Sequence, residues 1–387
     1  MTGTQRQAIH DPSSTPLAVI GFRGVPRVIG GVETHCEHLY PELAAAAPDL
    51  EVTLIGRRRY MDPHRDRLGP ARCVALPSPP QDALETLLHT PLAVLYARWR
   101  LRAAIVHLHG IGPGFFAPLA RLLGMRAVVT HHASDFQRPK WGRAARTFLR
   151  LGERFAARFA DRVVCVSAAL EAEFLGRYPD AAERTVVIRH GLAPTDAEAG
   201  RAFLAAHGLV HGGYLLAVGR LDATKRFEDL IAAHARAGEG ALPLVIVGSS
   251  IGDRRYEEHL HATAGPGVRF LGFRAGDELS ALYAHAALVL QASEMEGFGL
   301  VVLEALAAGA PVALSDLSAH REFGLPPERY FPVGDTDSIA DVIAATGPRE
   351  GPWPAAAPIA ARYDPAAAVE AHLRIFRQLA NRSNAAQ

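Results

Sequence analysis

Tyr214-Leu215-Leu216-Ala217-Val218, followed by Gly219-Arg220-Leu221-Asp222-Ala223-Thr224-Lys225-Arg226-Phe227, is a short apolar run that opens into a polar loop. A run this short, apolar throughout and closed by glycine, reads as a strand buried on both faces. It restarts a pattern that has already run once. Upstream, residues 17–21, 52–55, 104–108, 127–130, 162–166 and 185–188 each precede a turn and an Ala/Leu/Arg-rich stretch of helical period. Downstream, residues 244–247, 268–271, 288–291 and 312–314 repeat it. Two βαβ series in succession predict an α/β protein of two doubly wound, parallel-sheet, Rossmann-like domains. Ligands bind such sheets outside the carboxyl ends of their strands, so the two domains are expected to face each other across a cleft.

The break between the series falls in residues 191–213, where Pro194, Asp196, Glu198 and several glycines interrupt the strand pattern. The expected organisation is a disordered lead-in at 1–16, a first domain at 17–191, a link at 192–212, a second domain at 213–364, and a C-terminal helix and tail at 365–387. The last helix should run from Pro365 to about residue 380, after an exposed Pro/Ala-rich connection at 350–358.

At 387 residues the chain has length enough for two ordinary cores. With 49% hydrophobic and 21% charged residues it has a globular composition, and a net charge of +1 gives no general pull toward nucleic acid or membrane. The halves differ. Residues 1–195 hold 25 Lys+Arg against 17 Asp+Glu, and the remainder 16 against 23, so an anionic surface is expected to meet only the first half. Cys36, Cys73 and Cys165 are odd in number and widely spaced, which fits a reducing compartment and no disulfide framework. No uninterrupted apolar run reaches the about 18 residues a membrane span needs. The expectation is a cytoplasmic protein, at most peripheral on the inner face of the membrane.

Chemistry concentrates at a few places. Glu296-Gly297-Phe298-Gly299-Leu300-Val301-Val302-Leu303-Glu304 puts two carboxylates around a glycine turn at the start of an apolar helix. Helix N-terminal N–H groups there attract phosphate or sugar oxygens, and the glutamates can grip two ends of one polar ligand. A plain turn with solvated glutamates is the competing reading. Arg220 and Lys225 leave a strand's carboxyl end, where guanidinium and ammonium both reach a diphosphate. Gly30-Gly31 before a helix start is a candidate anion cradle. Neither a GxGxxG fingerprint nor a Walker A sequence occurs, which weakens a dinucleotide-dependent dehydrogenase. His107-x-His109 and His131-His132 suggest a metal site, but without a third ligand at recognisable spacing, strand-end packing is the favoured reading.

In this order, these elements resemble the retaining glycosyltransferases of family 4, of the bacterial cell-surface polysaccharide type, which have the GT-B fold. The matching pieces are Gly30-Gly31-Val32-Glu33, Val129-Thr130-His131-His132, Val164-Cys165-Val166-Ser167, Val218-Gly219-Arg220-Leu221, Lys225, Val245-Ile246-Val247-Gly248, and the Glu296–Glu304 signature with Gly309-Ala310-Pro311-Val312. The resemblance implies that Glu304 holds the ribose hydroxyls and Glu296 the donor sugar. The backbone of Gly297, Phe298, Gly299 and Leu300 would line sugar and phosphates. Arg220 and Lys225 would neutralise the diphosphate, and Gly30 and Gly31 would close on it. His132 matches the active-site histidine, with His131 the competing assignment. Ala133 and His190 depart from the glycine and asparagine common at those places.

The activity implied is metal-independent transfer, with retention, from a nucleotide-sugar to a saccharide or lipid-linked acceptor. No cofactor and no nucleic-acid partner are expected. A sugar-nucleotide epimerase, a phosphorylase and a non-catalytic nucleotide-sugar-binding paralogue are the alternatives. On the acceptor side, Arg57-Arg58-Arg59, Arg98-Trp99-Arg100-Leu101-Arg102 and the run Arg138, Lys140, Arg143, Arg146, Arg150, Arg154, Arg158 make the first domain basic. Phe148, Leu151, Phe155 and Phe159 recur at helical spacing within the last run, so this helix either rests on anionic headgroups or covers a core stripe.

Overall fold

The computed structural model describes residues 14–80, 82–138, 141–192 and 198–384. Its first sheet has eight strands: β1 (Thr15–Ile20), β2 (Leu50–Arg57), β3 (Arg67–Leu68), β4 (Ala71–Leu76), β5 (Ile105–His109), β6 (Arg126–His131), β7 (Arg162–Cys165) and β8 (Thr185–Val187). They lie in the order β3-β4-β2-β1-β5-β6-β7-β8, parallel except for the β3–β4 pair. The second sheet has six: β9 (Leu215–Val218), β10 (Leu244–Val247), β11 (Val268–Gly272), β12 (Leu288–Gln291), β13 (Val312–Ser315) and β14 (Tyr330–Phe331). Their order is β11-β10-β9-β12-β13-β14. The strand order reverses at β1/β5 in one sheet and at β9/β12 in the other, and the crevice above each reversal is where such folds take ligands.

Alternation along each strand feeds the cores on its two faces. Leu17 and Val19 pack with helix α1 (Gly31–Ala46) and the C-terminal helix, while Ala18 and Ile20 pack on the opposite face with helix α2 (Asp82–Trp99). In the second sheet Leu216 and Val218 join one core, Leu215 and Ala217 the other. The C-terminal helix, Pro365–Asn384, crosses back to the first domain, as expected. Val369, Leu373, Phe376 and Leu379 are buried there. Arg377 pairs with Asp49 at 3.0 Å on the rim.

Several expectations need correction. The apolar runs do not predict β3, β4 and β14. β4 is half-buried with Arg72 and Cys73 on it, and β14 spans two residues, so neither carries a continuous apolar run. Thr15 and Pro16 belong to β1 rather than to a lead-in; residues 1–13 lie outside the described residues. The link contains a helix, Arg201–Ala206, packed so closely that a Cβ on Gly200 would sit 2.3 Å from the Asp277 carbonyl oxygen. The Pro/Ala-rich stretch is not simply exposed: Ala356–Ala360 is helical, and Ala356 and Ile359 are buried.

Candidate active site

β9 ends in the loop holding Arg220 and Lys225, and β12 ends in the loop holding Glu296. These two strands are neighbours at the reversal of the second sheet, so residues 71 positions apart come within bonding distance. Lys225 Nζ donates to Glu296 Oε1. Gln291 Nε2 and Ser293 Oγ donate to the same oxygen at 3.0 and 2.9 Å. Burial alone would raise the Glu296 carboxyl, but Lys225, His320 and these hydrogen bonds outweigh it and hold it at about 2. Glu304, about one turn into the helix Leu300–Ala307, has the opposite environment. It accepts a hydrogen bond from Tyr283 at 2.6 Å, no cation among the described residues pairs with it, and burial pushes it up to about 7. The glutamates therefore differ in protonation as well as position.

The loop from residue 296 onward is pressed against the first domain. A Cβ on Gly297 would lie 1.7 Å from the carbonyl oxygen of His132, so only glycine lets the two loops meet. Ser167 Oγ, from the first domain, donates to the Gly297 carbonyl at 2.6 Å. Gly299 caps the helix Leu300–Ala307 at φ +102°, leaving the N–H groups of its first turn at the crevice. The Phe298 side chain turns away and is buried against Phe323, Tyr363 and His190, so only its backbone faces the crevice. A Cβ on Gly31 would stand 3.5 Å from Leu300 Cδ1, which puts the Gly30-Gly31 turn opposite that helix start. Gly30 itself has φ +145°, and any side chain there would collide with the Arg23–Glu33 ion pair.

Two cations meet across the cleft. Arg220 Nη2 is 3.3 Å from Asp222 Oδ2, and Arg138, from the first domain, reaches within 3.9 Å of Asp222 Oδ1. Burial, then the charge of Arg138, lowers the Arg220 guanidinium. Arg220 Nε and Arg138 Nη1 are buried N–H groups without a hydrogen-bond partner. Unspent donors on crowded guanidiniums are what an oxyanion relieves. The basic-helix reading of Arg138 is thereby corrected: the helix is Arg143–Phe159, and Arg138 precedes it in the cleft wall. Lys140 lies outside the described residues. Of the supposed core stripe, Leu151 is exposed and Phe148, Phe155 and Phe159 are half-buried, while Leu149, Gly152, Glu153 and Ala156 form the buried face.

The adjacent histidines part company. His131 is buried behind the sheet edge, its Nε2 2.8 Å from Glu153 Oε1. His132 lies at the cleft, with burial and the charges of His131 and His372 lowering its imidazole to about 3. Around it the sequence reading missed a cluster. His35 from α1, His107 and His109 from β5, His190 after β8 and His372 from the last helix all lie in ring contact with it or with one another. A polar residue alternating through apolar β5 was the available signal; the third partner, His35, lies 74 residues from His109 and was not legible.

The sequence profile described as "Glycosyltransferase Family 4" matches residues 29–195, and that described as "Glycosyl transferases group 1" matches residues 209–345. The chain is a family 4 glycosyltransferase. The glycogen synthase of Mycobacterium tuberculosis is 29% identical over 333 residues, covering 78% of each chain. Among solved structures, sucrose-phosphate synthase from Thermosynechococcus elongatus aligns at TM-score 0.75 and 23% identity over 94% of this chain and 99% of that one. Anabaena HepE in complex with UDP-glucose aligns at TM-score 0.72 and 19% identity, again over 94% and 99%. This glycosyltransferase has the GT-B fold that its sequence resemblance implies.

Proposed function

We propose that this glycosyltransferase moves a sugar from a nucleoside-diphosphate sugar to a hydroxyl of a saccharide or lipid-linked acceptor, with retention and without a metal. The observation that carries the reading is the Lys225–Glu296 pair at the carboxyl edge of the second sheet, with Arg220 beside it and His132 across the cleft. As the bond from sugar to phosphate breaks, negative charge gathers on the diphosphate. Arg220, Lys225 and Arg138 meet that charge with donors already in position. Glu296, held ionised, accepts hydrogen bonds from sugar hydroxyls, and Glu304 accepts them from the ribose.

The acceptor hydroxyl approaches on the face the phosphate leaves. Its O–H proton passes to a phosphate oxygen as its oxygen bonds the sugar carbon, so stereochemistry is kept. A His132 imidazole held at about 3 is a poor base at neutral pH, which favours this phosphate route and leaves His132 a hydrogen-bond partner. That the same fold holds UDP-glucose in HepE supports a donor of this class.

A panel of nucleotide-sugars should raise the melting temperature selectively, because a ligand that binds only the folded chain stabilises it. With the donor so found, the product anomer read by NMR should match the donor's, and EDTA should leave turnover unchanged. Lys225→Ala should lower kcat by about 10²–10³-fold, the usual cost of one transition-state donor. Unchanged turnover in that variant rejects the site, and an inverted product rejects the route.

A second observation bears on the acceptor. Leu84, Leu87, Leu88 and Leu92 are exposed along one side of α2, and Trp99 at its end is 66% exposed. Arg98 precedes it and Arg100 and Arg102 follow. An apolar stripe with a basic end suits an anionic bilayer surface, where a lipid-linked acceptor would be met.

A further inference from the structure

The histidine cluster holds more than a sugar-contacting residue needs. Ring nitrogens of His35, His109 and His132 all lie within 4.8 Å of one another. We propose that these three side chains hold one divalent transition-metal ion, zinc in the first place, and that its binding blocks transfer. The blocking role rests on the function proposed above; the site itself does not.

Imidazole is a fitting ligand for zinc, nickel and copper, and three protein nitrogens with one open position is a common zinc arrangement. With Zn–N of about 2.0–2.1 Å, tetrahedral ligand nitrogens stand about 3.4 Å apart, so side-chain rotations of roughly 1 Å close the site. The three ligands come from three elements: α1, the end of β5 and the loop after β6. Strand pairing of β5 with β6 keeps two of them together, since His109 is in register with Thr130.

The surrounding hydrogen bonds aim the rings. His107 Nε2 bonds Thr130 Oγ1 at 2.6 Å, Tyr40 Oη bonds His107 Nδ1 at 2.7 Å and His109 Nε2 at 2.5 Å, and His109 Nδ1 meets His132 Nε2 at 2.9 Å. This chain is satisfied when each Nε2 carries the proton, Tyr40 donates to His107, and His109 presents its Nδ1 lone pair to His132. Such outer bonds fix tautomer and orientation in metal sites. An ion entering there replaces the proton between His109 and His132, and His132 carries its own proton on Nδ1 instead. His35 is tied to His190 at 2.8 Å through Nδ1, and its buried Nε2 has no partner. Ligation spends the His132 Nε2 on the ion, and the about 3.4 Å between ligand nitrogens breaks its present 2.9 Å contact with His109 and shifts the ring from the place the reaction would use.

The test uses the full chain without a polyhistidine tag, stripped with chelator and titrated with Co²⁺. One equivalent should give the visible absorption of four-coordinate cobalt, and Zn²⁺ should erase it. His35→Ala should weaken binding by more than the about 10–100-fold that loss of an outer partner costs, and Tyr40→Phe by that lesser amount. His35→Cys keeps a ligand and should add a thiolate-to-cobalt band in the near ultraviolet. His64→Ala, at an exposed position, should change nothing. No stoichiometric cobalt spectrum, or wild-type affinity in folded His35→Ala, overturns the site; should that variant unfold, absence of the thiolate band in His35→Cys overturns it instead. Stoichiometric zinc with undiminished transfer overturns the blocking role. A cobalt spectrum in a protein that transfers no sugar overturns the proposed function and leaves the site standing.

Discussion

Glu304 shows how much one residue's surroundings decide. An ordinary glutamate titrates at about 4.3. With its carboxyl held at about 7 by burial, folded Glu304 keeps a proton that the unfolded chain loses between those values. Its stabilising contribution is therefore complete below the unfolded value and disappears as pH rises through 7. Glu296, held at about 2, has the opposite sign: its contribution is present above the ordinary carboxyl range and is lost as pH falls toward 2. Ribose hydroxyls donating to Glu304 favour its ionised form, so nucleotide binding near pH 6.5 should release a proton. Calorimetry in buffers of different ionisation heat measures this directly. The wild type should show buffer-dependent heats and Glu304→Gln should not; identical heats in every buffer would exclude the role.

At the scale of elements, two joints of the chain carry separate predictions. The Gly297 turn has no room for a methyl group against the His132 carbonyl. Gly297→Ala should push the loop off the first domain and lower kcat by at least about tenfold, as misplaced reacting groups do. Melting temperature should change far less, because no core residue is lost. A variant with normal kcat would show that this approach is not needed for turnover. The other joint is the C-terminal helix. Phe376 is fully buried among Leu17, Val19 and α1, so Phe376→Ala should cost about 3–5 kcal/mol. That loss should appear in the denaturation of the first domain, read by local fluorescence probes, while the second domain's transition stays in place.

At the scale of the whole molecule, the positive excess and the exposed leucines of α2 lie on one domain and the proposed donor site on the other. Among the described residues no helix is long and apolar enough to cross a membrane; the bilayer contact proposed above would use α2 and the basic helix Arg143–Phe159. The chain should co-sediment with anionic vesicles and not with neutral ones. Salt should weaken that binding, since exposed charges are screened over about 8–10 Å. Leu88→Glu, at a position 53% exposed, should abolish it without altering the melting temperature. Failure to bind either vesicle at low salt would remove the membrane from the proposed function.

Much of this was legible in the residues because it is local. Short apolar runs such as residues 244–247 and 288–291 became β10 and β12 with the bounds read from sequence, since a strand buried on both faces leaves little room for polar residues. Glycine turns at strand ends marked the loops, and the Glu296-to-Glu304 segment marked the glycine turn and the helix it opens, Leu300–Ala307. What stayed hidden is what packing alone brings about. Arg138 looks in sequence like one more helix cation, and only the packing of the two domains sets it against Asp222. The Glu296 and Glu304 carboxyls look alike in sequence and part only when Lys225 stands beside one and Tyr283 beside the other. His35, His109, His132, His190 and His372 are spread over the chain and meet because the switch point of the first sheet and a returning helix put them at one place. Local chemistry sets which residues can form a strand, a turn or a cation pair; proximity between distant residues depends on how the whole chain packs, and no local pattern encodes it.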